Sequence, residues 1–202
     1  MRLGITKSDK QNYIWFRNAK CGSRSILAYL YKHTDIDLDD YAVKYQPEDW
    51  ARYFKFTIVR NPWARLVSCY QDKIIRLKPT ASNLRSAKHG NNLRWQLNLQ
   101  KPSFKEFLEI VTKAENIQAD DHWDTYHNRV VFEDVDFIGR LENIQEDFNT
   151  ICDKLGIPQL ELPHRNKSKH KHYSEYYDDE SIELVAKAYK KDIDLFGYKF
   201  GE

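Results

Sequence analysis

The 202-residue sequence predicts an α/β fold, a central parallel sheet in a three-layer α/β/α arrangement, from two strand–loop–helix units and the alternation that follows them. In the first unit the segment Asn12 to Phe16 is short, aromatic and β-prone, and it runs through the polar NAKCGS into the helix-like SILAYLYKH. The second unit begins at Tyr53, where YFKFTIV has a buried-strand pattern and RNP leads into a helical run from Trp63 to about Leu77. Asn61 is placed to cap that helix, and Pro62 fits its first turn. In open α/β sheets the ligand lies beyond the carboxyl ends of the strands, where Lys20 and Arg60 fall.

The rest of the chain continues the pattern with one interruption. Residues 71–101 are polar, basic and without clear periodicity: Lys73, Arg76, Lys78, Arg85, Lys88, Arg94 and Lys101 face only Asp72, and a mobile loop region on the acceptor side is expected. Ser103 and Glu106 then have capping-box spacing ahead of SFKEFLEIVTK. Short strands are expected at 130–132 and 136–138, and a helix from Asn143 to Leu155, stopped by Gly156 and Pro158. Asp178 or Asp179 begins the last helix, in which Ile182, Val185, Ala186, Tyr189 and Ile193 recur at helical intervals. No internal repeat or flexible linker interrupts the chain, so a single domain over residues 1–202 is expected.

Composition narrows the function. Lys plus Arg number 32 against 30 Asp plus Glu, so there is no global field to attract nucleic acid or an anionic membrane, and any electrostatic function is local. The cysteines Cys21, Cys69 and Cys152 are few and widely spaced, which argues against a disulfide framework or a zinc cluster. No apolar run approaches the roughly 20 residues that cross a bilayer, and the polar start lacks the apolar core of a signal peptide. A cytoplasmic protein is expected, with the lumenal catalytic part of a membrane-anchored enzyme as the alternative.

Two stretches carry chemistry. In NAKCGSRS, residues 18–25, a loop opens a helix whose first amides lack partners and whose dipole favours an anion. Gly22 permits close backbone approach, Ser23 and Ser25 add hydroxyls, and Lys20 and Arg24 add charge. The lysine precedes the glycine, so the usual nucleoside-triphosphate loop is absent. In RNPWARLVSCY, residues 60–70, Arg60 can fork onto a phosphate and Ser68 can donate a hydroxyl to the same anion. Arg65 shares a helix face with Ser68, and a surface salt bridge is expected of it in preference to a ligand contact.

The order of K-x-G-S-x-S, VRNPWARLVSCY, HW, DFIGRLENIQEDF and a terminal DIDLFGY resembles the carbohydrate sulfotransferases over nearly the whole chain. The resemblance implies a fold like that of P-loop nucleotide-binding proteins. It also implies an enzyme that moves a sulfuryl group from 3'-phosphoadenosine 5'-phosphosulfate to a hydroxyl of an acceptor, a sugar above all, leaving 3'-phosphoadenosine 5'-phosphate. By the same resemblance Lys20, Cys21, Gly22, Ser23, Arg24 and Ser25 hold the 5'-phosphosulfate, and Arg60 and Ser68 hold the 3'-phosphate.

Sulfuryl transfer is an in-line displacement, so positioning and charge stabilisation dominate, and Lys20 is the group expected to neutralise the departing phosphate. His122, in DDHWDTY, is the candidate base, with Trp123 beside it to shield the site or pack on a sugar. His33, Asp40, Glu48 and Asp49 remain open alternatives for the base. No metal is expected, and Asp39–Asp40 and Asp120–Asp121 read as solvated turns. In HRNKSKHKHY, residues 164–173, Arg165, Asn166 or Ser168 are candidates to touch the nucleotide, beside the alternative of a solvated charge run. Phe137, Ile138 and Leu141 read as core, Arg140 and Glu142 as a structural pair, and DIDLFGY as a packed tail. The rival functions are a non-catalytic binder of the 3'-phosphoadenosine nucleotide, a nucleic-acid binder, disfavoured by the near-neutral charge, and a small-molecule kinase, disfavoured by the missing Walker lysine.

Overall fold

A computed structural model describes residues 2–88, 92–163 and 171–202. The chain divides into two compact units, Met1–Arg60 with Tyr126–Lys167 and Asn61–Thr125 with Ser168–Glu202. Among the described residues no helix is long and apolar enough to cross a membrane.

The first unit is built on a five-stranded sheet. Its strands are β1 (Arg2–Ser8), β2 (Tyr13–Phe16), β3 (Leu38–Lys44), β4 (Phe54–Val59) and β5 (Phe137–Arg140), in the order β3-β1-β2-β4-β5. Strands β2, β4 and β5 are parallel, with Trp15 opposite Phe56 and Ile58 opposite Gly139. The α/β class is as the sequence predicts, but the sheet is mixed. A tight turn at residues 9–12, with Asn12 in the left-handed region at φ 55°, folds β1 back antiparallel on β2, and β3 adds antiparallel to β1. Asp39 and Asp40 therefore lie in an edge strand and not in a turn, and Arg17 pairs with Asp39.

Alternation along β2 decides which layer each side chain joins. Trp15 stacks on Phe56 at 6.0 Å, on the face where Tyr13 also meets Phe56. Helices α1 (Ser23–His33) and α6 (Ile144–Leu155) meet each other through Tyr29 and Phe148, and the Tyr13 hydroxyl bonds Thr34 just after α1. Ile14 and Phe16 point the other way, into a cluster with Leu3, Ile5, Tyr53 and Val130. Each such side chain contributes about 1.5–3 kcal/mol by leaving water. Segments around Tyr45, Trp50 and Phe132 complete that cluster. The strand expected at 130–132 is instead a turn into a 3-10 segment, Phe132–Asp134, because the amides of Asp134 and Val135 bond back to Val131 and Phe132 and leave no ladder to extend. Ile138 is 37% exposed rather than core, since β5 is the sheet edge.

The second unit is helical. Helix α2 (Pro62–Cys69) runs into a π-helical segment, Tyr70–Arg76, followed by α3 (Ala81–Lys88), α4 (Leu93–Gln100), α5 (Phe104–Val111), α7 (Asp179–Ala188) and α8 (Lys190–Phe196). Asn61 caps α2, Ser103 and Glu106 form the expected box on α5, and Asp178 caps α7. Residues 71–101 are largely helical, which corrects the expected loop region. Polar groups anchor them where a periodic apolar stripe is missing: the Asn98 amide donates to the carbonyls of Lys73, Ile74 and Leu77, and Lys101 donates to Ile75. The single terminal helix foreseen is two helices meeting at Tyr189, whose fully buried hydroxyl donates to the Trp123 carbonyl. Asp192, Phe196 and Tyr198 are buried, so the DIDLFGY tail packs as expected.

Candidate active site

Strands β2 and β4 are adjacent and parallel, so their carboxyl ends open side by side. The turn after β2 is cinched by Asn18. Its side-chain amide donates to the Thr57 hydroxyl at 2.9 Å and the Ile58 carbonyl at 3.1 Å, and its backbone carbonyl accepts from Ser23 Oγ at 2.8 Å. Within this turn Lys20 and Gly22 both take left-handed backbone, at φ 69° and 75°. For lysine that conformation costs about 1–2 kcal/mol and persists only where the surroundings impose it. Gly22 suits the left-handed backbone, and a Cβ there would lie 2.9 Å from the end of the Leu141 side chain, which would have to shift.

Helix α1 starts at Ser23 with Gly22 as N-cap and no side-chain cap. The Gly22 carbonyl accepts from the amides of Ser25 and Ile26. The amides of Ser23 and Arg24, at the helix start, have no acceptor within an ideal helix and face where an anion is favoured. Arg24 is exposed and Lys20 half-buried, while Cys21 is 1% exposed and turns its thiol inward, 3.2 Å from the Tyr126 hydroxyl. Arg60, the residue after β4, reaches this turn: its guanidinium donates to the Lys20 carbonyl at 3.3 Å. The structure thus brings Lys20 through Ser25 together with Arg60.

Ser68 and His122 belong to the second unit. Ser68 is buried on α2. Arg65, one turn earlier, is 1% exposed and donates to the carbonyls of Asp121, at 2.9 Å, and Asp124. It is therefore no surface salt bridge: a guanidinium has five donors in a rigid fork, and here it braces the backbone on both sides of His122. Trp123 is fully buried, with its indole N–H on the Asn116 carbonyl and its ring edge-on to Phe107, so it is core and not a sugar platform.

His122 Nδ1 lies 2.6 Å from Asp120 Oδ1, and the other oxygen of Asp120 lies 3.0 Å from Arg94. Asp120 is buried and doubly engaged, unlike the solvated turn expected for it. The Asp120 carboxylate only accepts hydrogen bonds, whereas Arg94 Nη1, 3.2 Å from the same Nδ1, only donates; the shorter contact, to Asp120, favours the proton on Nδ1 and a lone pair on Nε2. Burial holds His122 below the ordinary imidazole value, with Lys73 acting in the same sense and Asp120 and Asp121 opposing. Burial works against the charge of Asp120, yet its bond to His122 and the cation of Arg94 keep its carboxyl below the usual range. Asp120, Asp121 and His122 offer possible metal-ligand atoms within 4.8 Å of one another, but Arg94 already neutralises Asp120. Of the other candidate bases, His33 packs on the Tyr29 ring, Asp40 lies in β3, and Glu48 and Asp49 are exposed. Arg165, Asn166 and Ser168 lie outside the described residues.

Sequence reasoning missed Asp120, Arg94 and Tyr126 as partners of the candidate residues His122 and Arg60. The first was visible two residues before His122, whereas the others act across 28 and 66 positions.

Residues 4–199 match the model of the sulfotransferase family, and the chain belongs to that family. It is 28% identical over 161 residues to carbohydrate sulfotransferase 14 of Danio rerio, covering 72% of this chain and 44% of that one. Carbohydrate sulfotransferase 10 of Xenopus laevis is 28% identical over 169 residues, 73% of this chain and 48% of its own. An uncharacterized protein of Archaeoglobus fulgidus is 31% identical over 107 residues, 53% of this chain and 71% of its own. The chain thus spans about half the length of the two carbohydrate sulfotransferases. No solved structure matches it significantly.

Proposed function

We propose that the chain transfers a sulfuryl group from 3'-phosphoadenosine 5'-phosphosulfate to a hydroxyl of a carbohydrate. The observation that carries this is the turn at Lys20–Gly22, held in left-handed backbone at the end of β2 and joined to Arg60 at the end of β4. In this reading the 5'-phosphosulfate lies on the opening amides of α1 beside Lys20. Arg60 and Ser68, which belong to one continuous sequence motif, hold the 3'-phosphate. The names of the carbohydrate sulfotransferases support a sugar acceptor.

The step forms a bond from the acceptor oxygen to sulfur and breaks the bond from sulfur to the bridging phosphate oxygen, whose electron pair stays on the departing nucleotide. Charge grows on that oxygen as the bond lengthens, and the Lys20 ammonium gains most at that moment. The acceptor proton passes to Nε2 of neutral His122, while Asp120, held by Arg94, fixes the tautomer and stabilises the imidazolium that results. Because His122 is held below its ordinary value, the neutral form prevails at neutral pH, and turnover falls only at pH below the ordinary imidazole range.

Labelled donor incubated with a glycan panel tests the proposal. Label on a glycan, abolished by Lys20→Ala, is the expected outcome. Tight nucleotide binding with no transfer to any hydroxyl acceptor would favour the non-catalytic binder instead.

A further inference from the structure

Tyr126 is fully buried and stands at the point where the chain re-enters the first unit. Its hydroxyl accepts the amide of Arg60 at 2.9 Å, donates to the Arg60 carbonyl at 3.0 Å and lies 3.2 Å from Sγ of Cys21. The Cys21 thiol also lies 3.6 Å from the Ala19 carbonyl, so it joins the Tyr126 hydroxyl to the turn after β2. One oxygen atom therefore ties the backbone of Arg60 to the residue that separates Lys20 from Gly22. The Arg60 guanidinium on the Lys20 carbonyl is a second tie between the same two places.

We propose that Tyr126 is a positioning residue: its hydroxyl fixes the spacing between the Lys20–Gly22 turn and Arg60, and thereby the preference for a nucleotide with phosphates on both ends of its ribose. This rests on the donor reading above. A second anion contact adds affinity only if its site already sits at the distance the ligand spans, because ordering the site at the moment of binding consumes the gain. Releasing one turn from the other therefore erodes the advantage of the 3'-phosphate and leaves the hold on the 5'-phosphate nearly intact. A tyrosine that merely filled the core would lower stability and leave the preference unchanged.

Tyr126→Phe keeps the ring and removes the hydroxyl. Calorimetry on the full chain with adenosine 3',5'-bisphosphate and adenosine 5'-monophosphate gives the preference as a ratio of dissociation constants. Wild type is expected to favour the bisphosphate at least about tenfold, and Y126F to lose most of that ratio with less than about a threefold change for the monophosphate. A lowered melting temperature with the ratio intact would overturn the proposal and leave the donor reading standing. A wild type without any preference would overturn both. If Y126F does not fold, Cys21→Ala removes the thiol and keeps the Tyr126 hydroxyl with both of its bonds to Arg60. It is expected to move the ratio the same way by a smaller factor, and an unchanged ratio there counts against the role of Tyr126.

Discussion

The two helix starts that the sequence marks for anions are finished differently. Helix α1 begins on Gly22 with no side-chain cap, after a lysine in left-handed backbone. Helix α2 begins on Asn61, whose side-chain oxygen accepts from the amides of Trp63 and Ala64. Closed in this way, the second start has spent those two amides internally. In the proposed reading the amides of the first start bind the anion and the side chains add charge. The difference teaches that two basic strand-to-helix turns of similar sequence character can leave their opening amides in opposite states, one uncapped beside a strained turn and one closed by its own side chain.

The largest effect is expected at the uncapped start. Lys20→Ala should lower kcat by about 100- to 1,000-fold, with donor affinity nearly unchanged in a binding titration, since its charge matters most as the bond breaks. Next comes Arg60→Ala, which should weaken adenosine 3',5'-bisphosphate by about 10- to 100-fold and ATP much less, as measured by competition. Equal losses for both ligands would mean that Arg60 only braces the Lys20 carbonyl. Gly22→Ala, strained in φ and pressed against Leu141, should cost about 1–2 kcal/mol in a denaturant titration and weaken nucleotide binding as well. The smallest functional effect belongs to the capped start: Asn61→Ala should cost about 0.5–2 kcal/mol of stability and leave nucleotide discrimination as it was. Should Asn61→Ala instead alter discrimination, the contrast between the two starts would be lost.

What the sequence made legible was what is local. The Asn61–Pro62 start, the Ser103–Glu106 box and the Lys20–Ser25 turn all rest on residues a few positions apart, and the structure shows each element where its pattern predicts it. Strand β1 escaped because only Leu3 and Ile5 of its core face stand out from polar neighbours, and β3 because its edge carries Asp39 and Asp40. The 71–101 stretch read as loop because its helices are anchored by Asn98 and Lys101 on carbonyls, a device with no periodicity to detect. Arg65 and Tyr126 looked ordinary because what they brace lies more than 50 residues away in sequence. Their work is done on backbone groups, which leave no mark on the sequence of the partner.

The most direct measurement compares adenosine 3',5'-bisphosphate with ATP by calorimetry on the full chain in the presence of a chelator. Paired anion sites at Lys20–Ser25 and at Arg60 with Ser68 require the bisphosphate to bind more tightly by at least about tenfold, the worth of one charge-assisted contact. Equal affinities, or tighter binding of ATP, would contradict the account at its root.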